Sequence, residues 1–461
     1  MEGYVHVIKR FILWRREMKK KFLSLTVPSA LAMFVASFNT VLDGMFLGIG
    51  VGDDAIAGVN IVIPVIMIFI GISNMAAVGG GSLVSKNFGE GDSEKAVNIF
   101  RQVIKSLIVM SLIISIVCVG FSETIVILLG AKGRLVPIAA EYLRYYSIFC
   151  ISSVLMVVFG SFLRNDNAPK LAMFASMAAT VINIILNYLF IFVLQQGVKS
   201  AAVATGIGNS IAIMMVLPHF IFKRGQLSFG KTNIGISAFI EAMKIGFPSF
   251  LAEAAFSVII FFHNIALSNT VGESGIAAYA IINYATSNIY NIVLGITMGA
   301  QPLISYNFGT ENKENMLTFY NMTIKMCIFV SAVITLAYAG CGRFIAGIFS
   351  SSPEVIDMAV VGLNLTNAAY IFLGVNLTRT IYYQAIEKTI YSNIMGLLRS
   401  VVILPIVLFV FASKFGVNGI WASQLVAECI VMVFIGLTVN ISYKTDLAIK
   451  NKERYTGMKT I

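Results

Sequence analysis

The stretch Pro28–Gly48, PSALAMFVASFNTVLDGMFLG, is an apolar run long enough to cross a bilayer as a helix. It nevertheless contains a carboxylate, Asp43, one turn after the amide of Asn39. A charged side chain in the hydrocarbon region costs at least about 2.5–3.5 kcal/mol, so it persists where it faces a wet cavity, pairs with a partner or binds an ion. We interpret Asp43 as functional. The alternative is a carboxylate that snorkels to the membrane interface.

The composition predicts a polytopic α-helical membrane protein. Of 461 residues, 58% are hydrophobic and only 12% are charged, whereas about 25% of the residues of a soluble domain are charged. The net charge of +11 is scattered over short loops, which argues against a nucleic-acid partner. The five cysteines are dispersed without a CxxC or Cys/His spacing, so we expect neither a disulfide framework nor a zinc site.

Twelve apolar runs follow one another along the chain, each about 20 residues or longer, as a membrane-spanning helix requires. We therefore predict an all-α integral membrane protein with twelve transmembrane helices. The predicted spans are residues 23–47, 55–85, 103–129, 137–163, 170–194, 198–222, 240–267, 276–306, 317–349, 356–386, 390–412 and 417–441.

The distribution of basic residues predicts the orientation. With the N-terminus inside, all but six Lys and Arg residues fall on the inner side, which places both termini in the cytoplasm and the protein in the cell membrane. Residues 1–21 mix apolar and basic side chains, which is typical of an amphipathic helix on an anionic membrane surface, or equally of a solvated tail. The six exceptions are Lys132, Arg134, Arg144, Lys199, Arg343 and Lys414.

An internal repeat divides the chain. At an offset of 220 residues, Pro28–Ser29 matches Pro248–Ser249, and Asn87–Phe88–Gly89 matches Asn307–Phe308–Gly309. Six helices per half is an even number, so we expect two bundles in one orientation, related by an axis along the membrane normal and enclosing a midplane cavity. We interpret Lys223–Lys244 as a linker with an interfacial helix. The predicted divisions are 1–22, a cytoplasmic segment; 23–222, the N-terminal bundle; 223–239, the cytoplasmic linker; 240–441, the C-terminal bundle; and 442–461, a cytoplasmic tail.

The second half has polar candidates of its own for the cavity. The repeat pairs Asp43 with His263, which is more typical of a hydrogen-bonded packing histidine than of a proton relay. The eighth predicted helix carries polar and aromatic side chains in helical stripes, which we expect to face a wet surface and to suit planar cations by cation–π contact. The cavity candidates are Asn39, Glu253, His263, Tyr279, Asn283, Tyr284, Asn288, Gln384 and Glu428. We interpret Arg379, Lys388 and Arg399 as anchors in inner loops or at helix ends.

Several motifs resemble one family. The loop GGGSLVSKNFGEGD (79–92) lacks the GK[ST] of a phosphate-binding loop, so we interpret it as a packing and turning element. Together with GAQPLISYNFG (299–309), DDAIAGVNIVIP (53–64), YYQAIEK (382–388) and LLRSVVILP (397–405), it makes the chain resemble the multidrug and toxic compound extrusion (MATE) transporters, in their DinF/MepA-like branch.

The resemblance implies an ion-coupling site. In related transporters an Asp of helix one, an Asn and an Asp one turn apart on helix five, and a Thr of helix six hold a cation. The matching residues are Asp43, Asn183, Asn187 and Thr205. Asn187 departs from the usual Asp, which leaves Asp43 as the sole formal charge, weakens a Na⁺ site and favours coupling by protonation. The alternative for the two amides, which share one helical face, is hydrogen bonding between helices.

The resemblance further implies a secondary antiporter rather than an enzyme. We expect a monomer in the lipid bilayer that exports cationic amphipathic drugs or metabolites in exchange for H⁺ or Na⁺ and needs no other cofactor. A flippase for a lipid-linked saccharide is the main alternative, although few cations fall at mid-membrane to hold pyrophosphate. A membrane enzyme lacks an HExxH or GxSxG signature. A receptor or channel subunit is disfavoured by the repeat and its buried carboxylate.

Overall fold

The computed structural model describes residues 2–350 and 352–457, with side chains described at 16–39, 42–52, 54–254, 258–350, 352–434 and 436. All regular elements in this part of the chain are helices. They are α1 (Glu2–Gly50), α2 (Asp53–Glu90), α3 (Ser93–Gly120), α4 (Ser122–Leu128), α5 (Leu135–Ile148), α6 (Cys150–Asn165), α7 (Pro169–Tyr188), α8 (Lys199–Ile221), α9 (Ser237–Thr270), α10 (Glu273–Gly309), α11 (Lys313–Phe349), α12 (Pro353–Ala385), α13 (Thr389–Leu397) and α14 (Leu404–Gly457). Two segments are π-helical, Leu189–Val193 after α7 and Leu398–Ile403 between α13 and α14.

The described helices account for the predicted crossings. Nine helical segments are long and apolar enough to cross a membrane, and the pair α5 and α6, bent by 50°, makes a tenth. The other two are α10, which is rich in Tyr and Asn, and the part of α14 beyond Gly416, whose φ of 58° interrupts that helix. The predicted all-α membrane fold is confirmed.

The repeat is visible in local structure as well as in sequence. The side chain of Asp92 caps α3 by accepting a hydrogen bond from the backbone N of Lys95 at 2.9 Å. The residue 220 positions later, Asn312, caps α11 in the same way at 3.0 Å through the backbone N of Asn315. Each cap satisfies an N–H group that has no partner inside its helix.

The linker differs from its prediction. Lys223–Lys244 contains no separate interfacial helix, because α9 begins at Ser237 and continues without a break into the membrane span. The segment before it is held on the first bundle. Asp166 accepts hydrogen bonds from the backbone N–H groups of the linker, and Arg101 donates to its carbonyl oxygens. The surface helix predicted at residues 1–21 and the tail predicted at 442–461 fall largely on side chains outside those described.

Each half of the chain has its own core. In the N-lobe, α1–α8, Phe100 stacks on Phe220 at 5.1 Å and meets Phe162 edge-on at 5.0 Å. In the C-lobe, α9–α14, Trp421 is buried and stacks on Tyr279 at 6.2 Å. Burial of these large rings holds each lobe together separately.

The lobes touch along two helix pairs related by the repeat, α2 with α9 and α1 with α10, and also where α2 meets α10. Glycines make the approach close. A Cβ atom on Gly79 would lie 1.8 Å from the carbonyl oxygen of Ala242, and one on Gly246 would lie 1.7 Å from that of Met75. In the second pair, a Cβ on Gly299 would lie 2.8 Å from the carbonyl oxygen of Leu25. Only glycine permits backbones to pack at these distances.

These contacts close one side of the molecule, which we call the closed side. At the ends of α2 and α10, Cβ atoms on Gly89 and Gly309 would each lie 2.1 Å from a carbonyl oxygen of the other helix. Gln301 donates to Ser82 at 2.7 Å across the same contact. The interlobe hydrogen bond farthest from the closed side, among the described residues, joins Ser37 and Asn288. The closed side is therefore the end at which the two lobes are packed together.

Candidate functional site

Asp43 lies in a ring of hydrogen bonds that joins three helices of the N-lobe. Its Oδ1 accepts from Nδ2 of Asn187 at 2.5 Å, and its Oδ2 accepts from Oγ1 of Thr205 at 3.3 Å. Asn187 also donates to Oδ1 of Asn183 at 3.0 Å, and Asn183 donates to Thr205 at 2.8 Å. The structure thus brings together the four side chains of the predicted ion-coupling site, which we call the Asp43 ring.

Local backbone geometry positions this ring. Asn183 and Asn187 are four residues apart on α7 and point to the same face. Helix α8 packs closely on α7 because Gly208 faces the carbonyl oxygen of Ala179, where a Cβ would lie 2.7 Å away. This close packing brings Thr205 of α8 within hydrogen-bond distance of Asn183 on α7. The π-helical turn Leu189–Val193 begins two residues after Asn187, and such turns are frequent at functional sites.

The ring has oxygen atoms available for a cation. Asn187 is fully buried, and its Oδ1 accepts no hydrogen bond from any described residue. Oδ1 of Asn39, one turn before Asp43 on α1, is likewise buried without a donor. Carboxylate, amide and hydroxyl oxygens are ligands that suit hard cations. In the described part of the chain, no group of three His, Cys, Asp or Glu side chains is placed to hold a metal ion.

A second polar site lies between the lobes. Glu253 of α9 accepts a hydrogen bond from Nδ2 of Asn74 of α2 at 2.9 Å, across the lobe boundary. Gln384 of α12 lies in the same cavity and donates to Oγ of Ser249 at 2.9 Å. We call this cavity the chamber. It is lined by Asn74, Val78, Pro248, Ser249, Ala252, Glu253, Tyr290, Leu294, Met298, Leu377, Thr380, Ile381 and Gln384.

The side chains of α10 that were predicted to face one wet surface lie in different environments. Tyr279 is only 4% exposed, because it stacks between His263 and Trp421 in the C-lobe core, and the predicted wet surface is corrected there. Tyr284 is exposed and stacks on Phe349 at 6.0 Å, away from the chamber residues. Helical spacing alone does not distinguish these faces.

Asn283 and Asn288, one turn and two turns beyond Tyr279 on α10, are half-buried. Asn288 contacts Ser37 of the N-lobe. His263 is buried, with its Nδ1 2.9 Å from the carbonyl oxygen of Ile259 and its ring stacked 4.7 Å from that of Tyr279. These contacts favour packing over a proton relay for His263.

The C-lobe contains a buried ion pair, and only one of its two residues was predicted as a cavity residue. Glu428 of α14 is 3% exposed, lies 3.3 Å from Nε of Arg399 and accepts from Asn376 at 2.8 Å. The sequence indicated Glu428, but we read Arg399 as an anchor at a helix end. It lies instead in the π-helical turn Leu398–Ile403. A lone arginine inside an apolar run was the available signal.

Comparison with known proteins supports one family. The MatE family model matches residues 28–189 and 248–410, two segments that begin 220 residues apart, as the repeat does. The multidrug export protein MepA of Staphylococcus haemolyticus is 28% identical over 432 residues, covering 93% of this chain and 95% of that protein. MepA of Staphylococcus saprophyticus is 27% identical over 413 residues, covering 89% and 91%.

Solved structures share the fold. The outward-facing structure of a multidrug resistance MATE family transporter of the MOP superfamily matches with a TM-score of 0.87 at 22% identity, covering 93% of this chain and 97% of that one. A mutant of the MATE transporter VcmN of Vibrio cholerae matches with a TM-score of 0.87 at 21% identity, covering 93% and 98%. Because the family model covers more than half of the chain and lies on both lobes, the chain belongs to the MatE family of multi-pass membrane transporters.

Proposed function

We propose that this protein is a secondary multidrug antiporter that exports cationic amphipathic compounds in exchange for H⁺ or Na⁺ bound at the Asp43 ring. The observation that carries the proposal is the ring itself, a carboxylate between apolar helices that accepts hydrogen bonds from the amide of Asn187 and the hydroxyl of Thr205, with Asn183 joining these two donors. The curated relatives named above are multidrug export proteins, which supports this substrate class. We further propose a monomer in the cell membrane with both termini in the cytoplasm.

Exchange follows from linkage between the ion and the lobe arrangement. A charged Asp43 without a neutralising partner is costly inside the membrane, so a proton or Na⁺ changes the free energy of the N-lobe. If the ion binds more tightly in one arrangement of the lobes, it favours that arrangement. Substrate that favours the other arrangement is then released when the ion binds. Ion and drug need not touch, because both act on the same equilibrium.

The chamber suits cationic substrates. Glu253 supplies a carboxylate, and Tyr290 supplies an aromatic ring that can contact a cation through its face. Met298 adds an adaptable apolar contact of the kind that promiscuous sites use. A flippase for a lipid-linked saccharide fits less well, because pyrophosphate calls for several Lys or Arg side chains and none is among the described side chains that line the chamber.

The decisive experiment measures efflux of a planar cationic dye, ethidium, from proteoliposomes in which a pH gradient or a Na⁺ gradient is imposed separately. We expect Asp43→Asn to reduce exchange to the level of protein-free vesicles, because the ring then has no charge to neutralise. Asn187→Asp adds a second carboxylate beside Asp43 and should make efflux dependent on Na⁺. Asp54→Asn is the matched control, since Asp54 is a half-exposed carboxylate paired with Arg134 outside the ring.

Efflux by Asp43→Asn at the wild-type rate, with equal protein per vesicle, would show that this carboxylate does not couple transport. A response of Asn187→Asp identical to that of wild type in both gradients would mean that Asn187 is not an ion ligand. Equal losses in Asp43→Asn and Asp54→Asn would point to a general electrostatic effect rather than a coupling site.

A further inference from the structure

Arg164, near the end of α6, is a buried cation without a partner. The residue is only 7% exposed, and its Nε is enclosed without an acceptor. None of the described residues forms a hydrogen bond or ion pair with its guanidinium group. The side chain folds back along its own helix, so that a Cβ on Gly160 would lie 3.8 Å from Nη1. A buried guanidinium with unused donors calls for an anion.

The end of its own helix does not satisfy Arg164. A helix C-terminus favours a nearby cation, but two carbonyls in the last turns of α6 already have other donors. The carbonyl oxygen of Phe162 accepts from the backbone N of Asp166 at 2.9 Å, and that of Ser161 accepts from Asn165 at 2.8 Å. The carboxylate of Asp166 is engaged with the linker and with His219. Neither these carbonyl oxygens nor Asp166 forms a hydrogen bond with the guanidinium group of Arg164.

The repeat shows what this position does in the other lobe. At the offset of 220, Arg164 corresponds to Gln384, which lines the chamber and donates to Oγ of Ser249 at 2.9 Å. The N-lobe counterpart of Ser249 is Ser29, whose hydroxyl instead donates to the carbonyl oxygen of Leu25 at 2.8 Å. The amide N–H group of Gln384 thus has an acceptor in the C-lobe, whereas Arg164 at the matching position of the N-lobe has none.

The residue that follows Arg164 lies close to the lobe boundary, on the closed side of the chamber. Its neighbour Asn165 contacts Ser85 of α2, and Gly81 of α2 faces both Asn165 and Gln301 of α10. Asn74, which holds Glu253, is seven residues before Gly81 on α2. At 1.5 Å per residue, the levels of the two charges differ by about 10 Å along that helix. A drug-sized molecule spans this distance.

We propose that Arg164 is a specificity-determining residue that binds the carboxylate of amphoteric substrates, which carry an anionic group as well as a cationic one. The inference rests on the proposed export of cations, with Glu253 as the partner of the cationic group. The planar guanidinium offers a carboxylate two parallel hydrogen bonds, which an amide at this position does not. A single guanidinium suits one carboxylate rather than a pyrophosphate.

Arg164 also links the charge of the cargo to the arrangement of the lobes. When the lobes separate at the closed side, Arg164 is exposed to the solvent on that side and its charge is hydrated. Closing without a bound anion buries the charge without a partner. Closing around a bound carboxylate buries a neutralised pair, which costs less. The anionic group of the cargo therefore favours closure by linkage.

The test compares a rhodamine dye that has a free carboxylate with its methyl ester, which differs only in lacking that charge. Export of both dyes is measured in proteoliposomes containing wild type, Arg164→Gln, Arg164→Lys or Lys170→Gln. We expect Arg164→Gln to lower export of the free acid about tenfold or more, the scale expected when one partner of a charged pair is removed. Export of the ester by Arg164→Gln should stay within about twofold of the wild-type rate, which corresponds to a small change in free energy.

Arg164→Lys keeps the charge but loses the planar fork, so export of the acid should be intermediate. Lys170→Gln removes an exposed cation at the start of the next helix, α7, and should change export of neither dye. Equal loss of both dyes in Arg164→Gln, in vesicles with equal amounts of folded protein, would assign Arg164 to structure and overturn the proposal. Export of the ester but not of the acid by wild type would overturn it while leaving the proposed function intact. Export of neither dye would overturn both.

Discussion

The ion pair between Lys86 of α2 and Glu387, just after α12, should act as a latch on the closed side. Nζ of Lys86 lies 2.8 Å from Oε2 of Glu387, and the two side chains belong to different lobes. Each is 24% exposed, so the pair is partly shielded from water. Glu90, one turn after Lys86, lies 3.8 Å from the same Nζ. Any separation of the lobes on this side must break the pair between them.

The magnitude follows from burial. A hydrogen bond to a charged group contributes about 1.5–3 kcal/mol, whereas fully exposed pairs contribute about 0–1 kcal/mol. Partial exposure places the latch between these, at about 1–2 kcal/mol. Neutralising either partner should therefore lower the ratio of closed to open molecules about 5- to 30-fold. The charge reversal Lys86→Glu with Glu387→Lys should recover most of the loss, because the pair is re-formed.

Spin labels at positions 94 and 314 would measure the opening. Glu94 and Glu314 are exposed and lie in different lobes. Each is the second residue of its helix, α3 for Glu94 and α11 for Glu314. With the native cysteines replaced, we expect Lys86→Gln and Glu387→Gln to move the distance distribution toward longer values. Arg343→Gln is the control, because its partner Asp357 lies in the same lobe and both are largely exposed. Single variants with the wild-type distribution would refute the latch, as would a charge-reversed pair no more closed than either single variant.

Two further perturbations test the lobe contact and the C-lobe. A Cβ atom at position 246 would lie 1.7 Å from the carbonyl oxygen of Met75, so the side chain introduced by Gly246→Val should force the lobes apart. We expect longer distances between the same two spin labels, and an unchanged distance distribution would contradict the glycine contact. Arg399→Met leaves Glu428 buried and unpaired, which should cost about 3–5 kcal/mol and lower the thermal midpoint in detergent. Adding Glu428→Gln should restore part of that midpoint, and no recovery would mean that the pair is not the cause.

The repeat and the helices could be predicted from the sequence because their signals are local. Runs of apolar residues define spans, and a constant offset aligns Asp92 with Asn312, whose side chains cap corresponding helices. The four members of the Asp43 ring came from family resemblance rather than from spacing. Periodicity placed Asn183 and Asn187 on one face of α7 but did not indicate which helix that face meets.

Contacts between lobes could not be predicted, since they join residues far apart in sequence. Asn74 and Glu253 are 179 residues apart, and neither residue alone indicates a partner. Helical spacing identified a stripe on α10, but the aromatic stack that removes Tyr279 from the chamber depends on Trp421 of α14. Arg399 was misplaced because a π-helical turn shifts the helix register in a way that an apolar pattern does not reveal.

The chemistry of this protein is concentrated where its two halves differ. If the two lobes carried identical side chains at matching positions, an ion or a charged group of the cargo would act on both lobes alike. Here Asp43 is matched by His263, packed in an aromatic stack, and Lys86 is matched by Tyr306, which has no charge for a second latch. The symmetric glycine contacts allow the lobes to close in register. The residues that differ between matching positions of the two lobes, Arg164 among them, give each lobe its own ligand. Closure of the lobes then depends on what is bound.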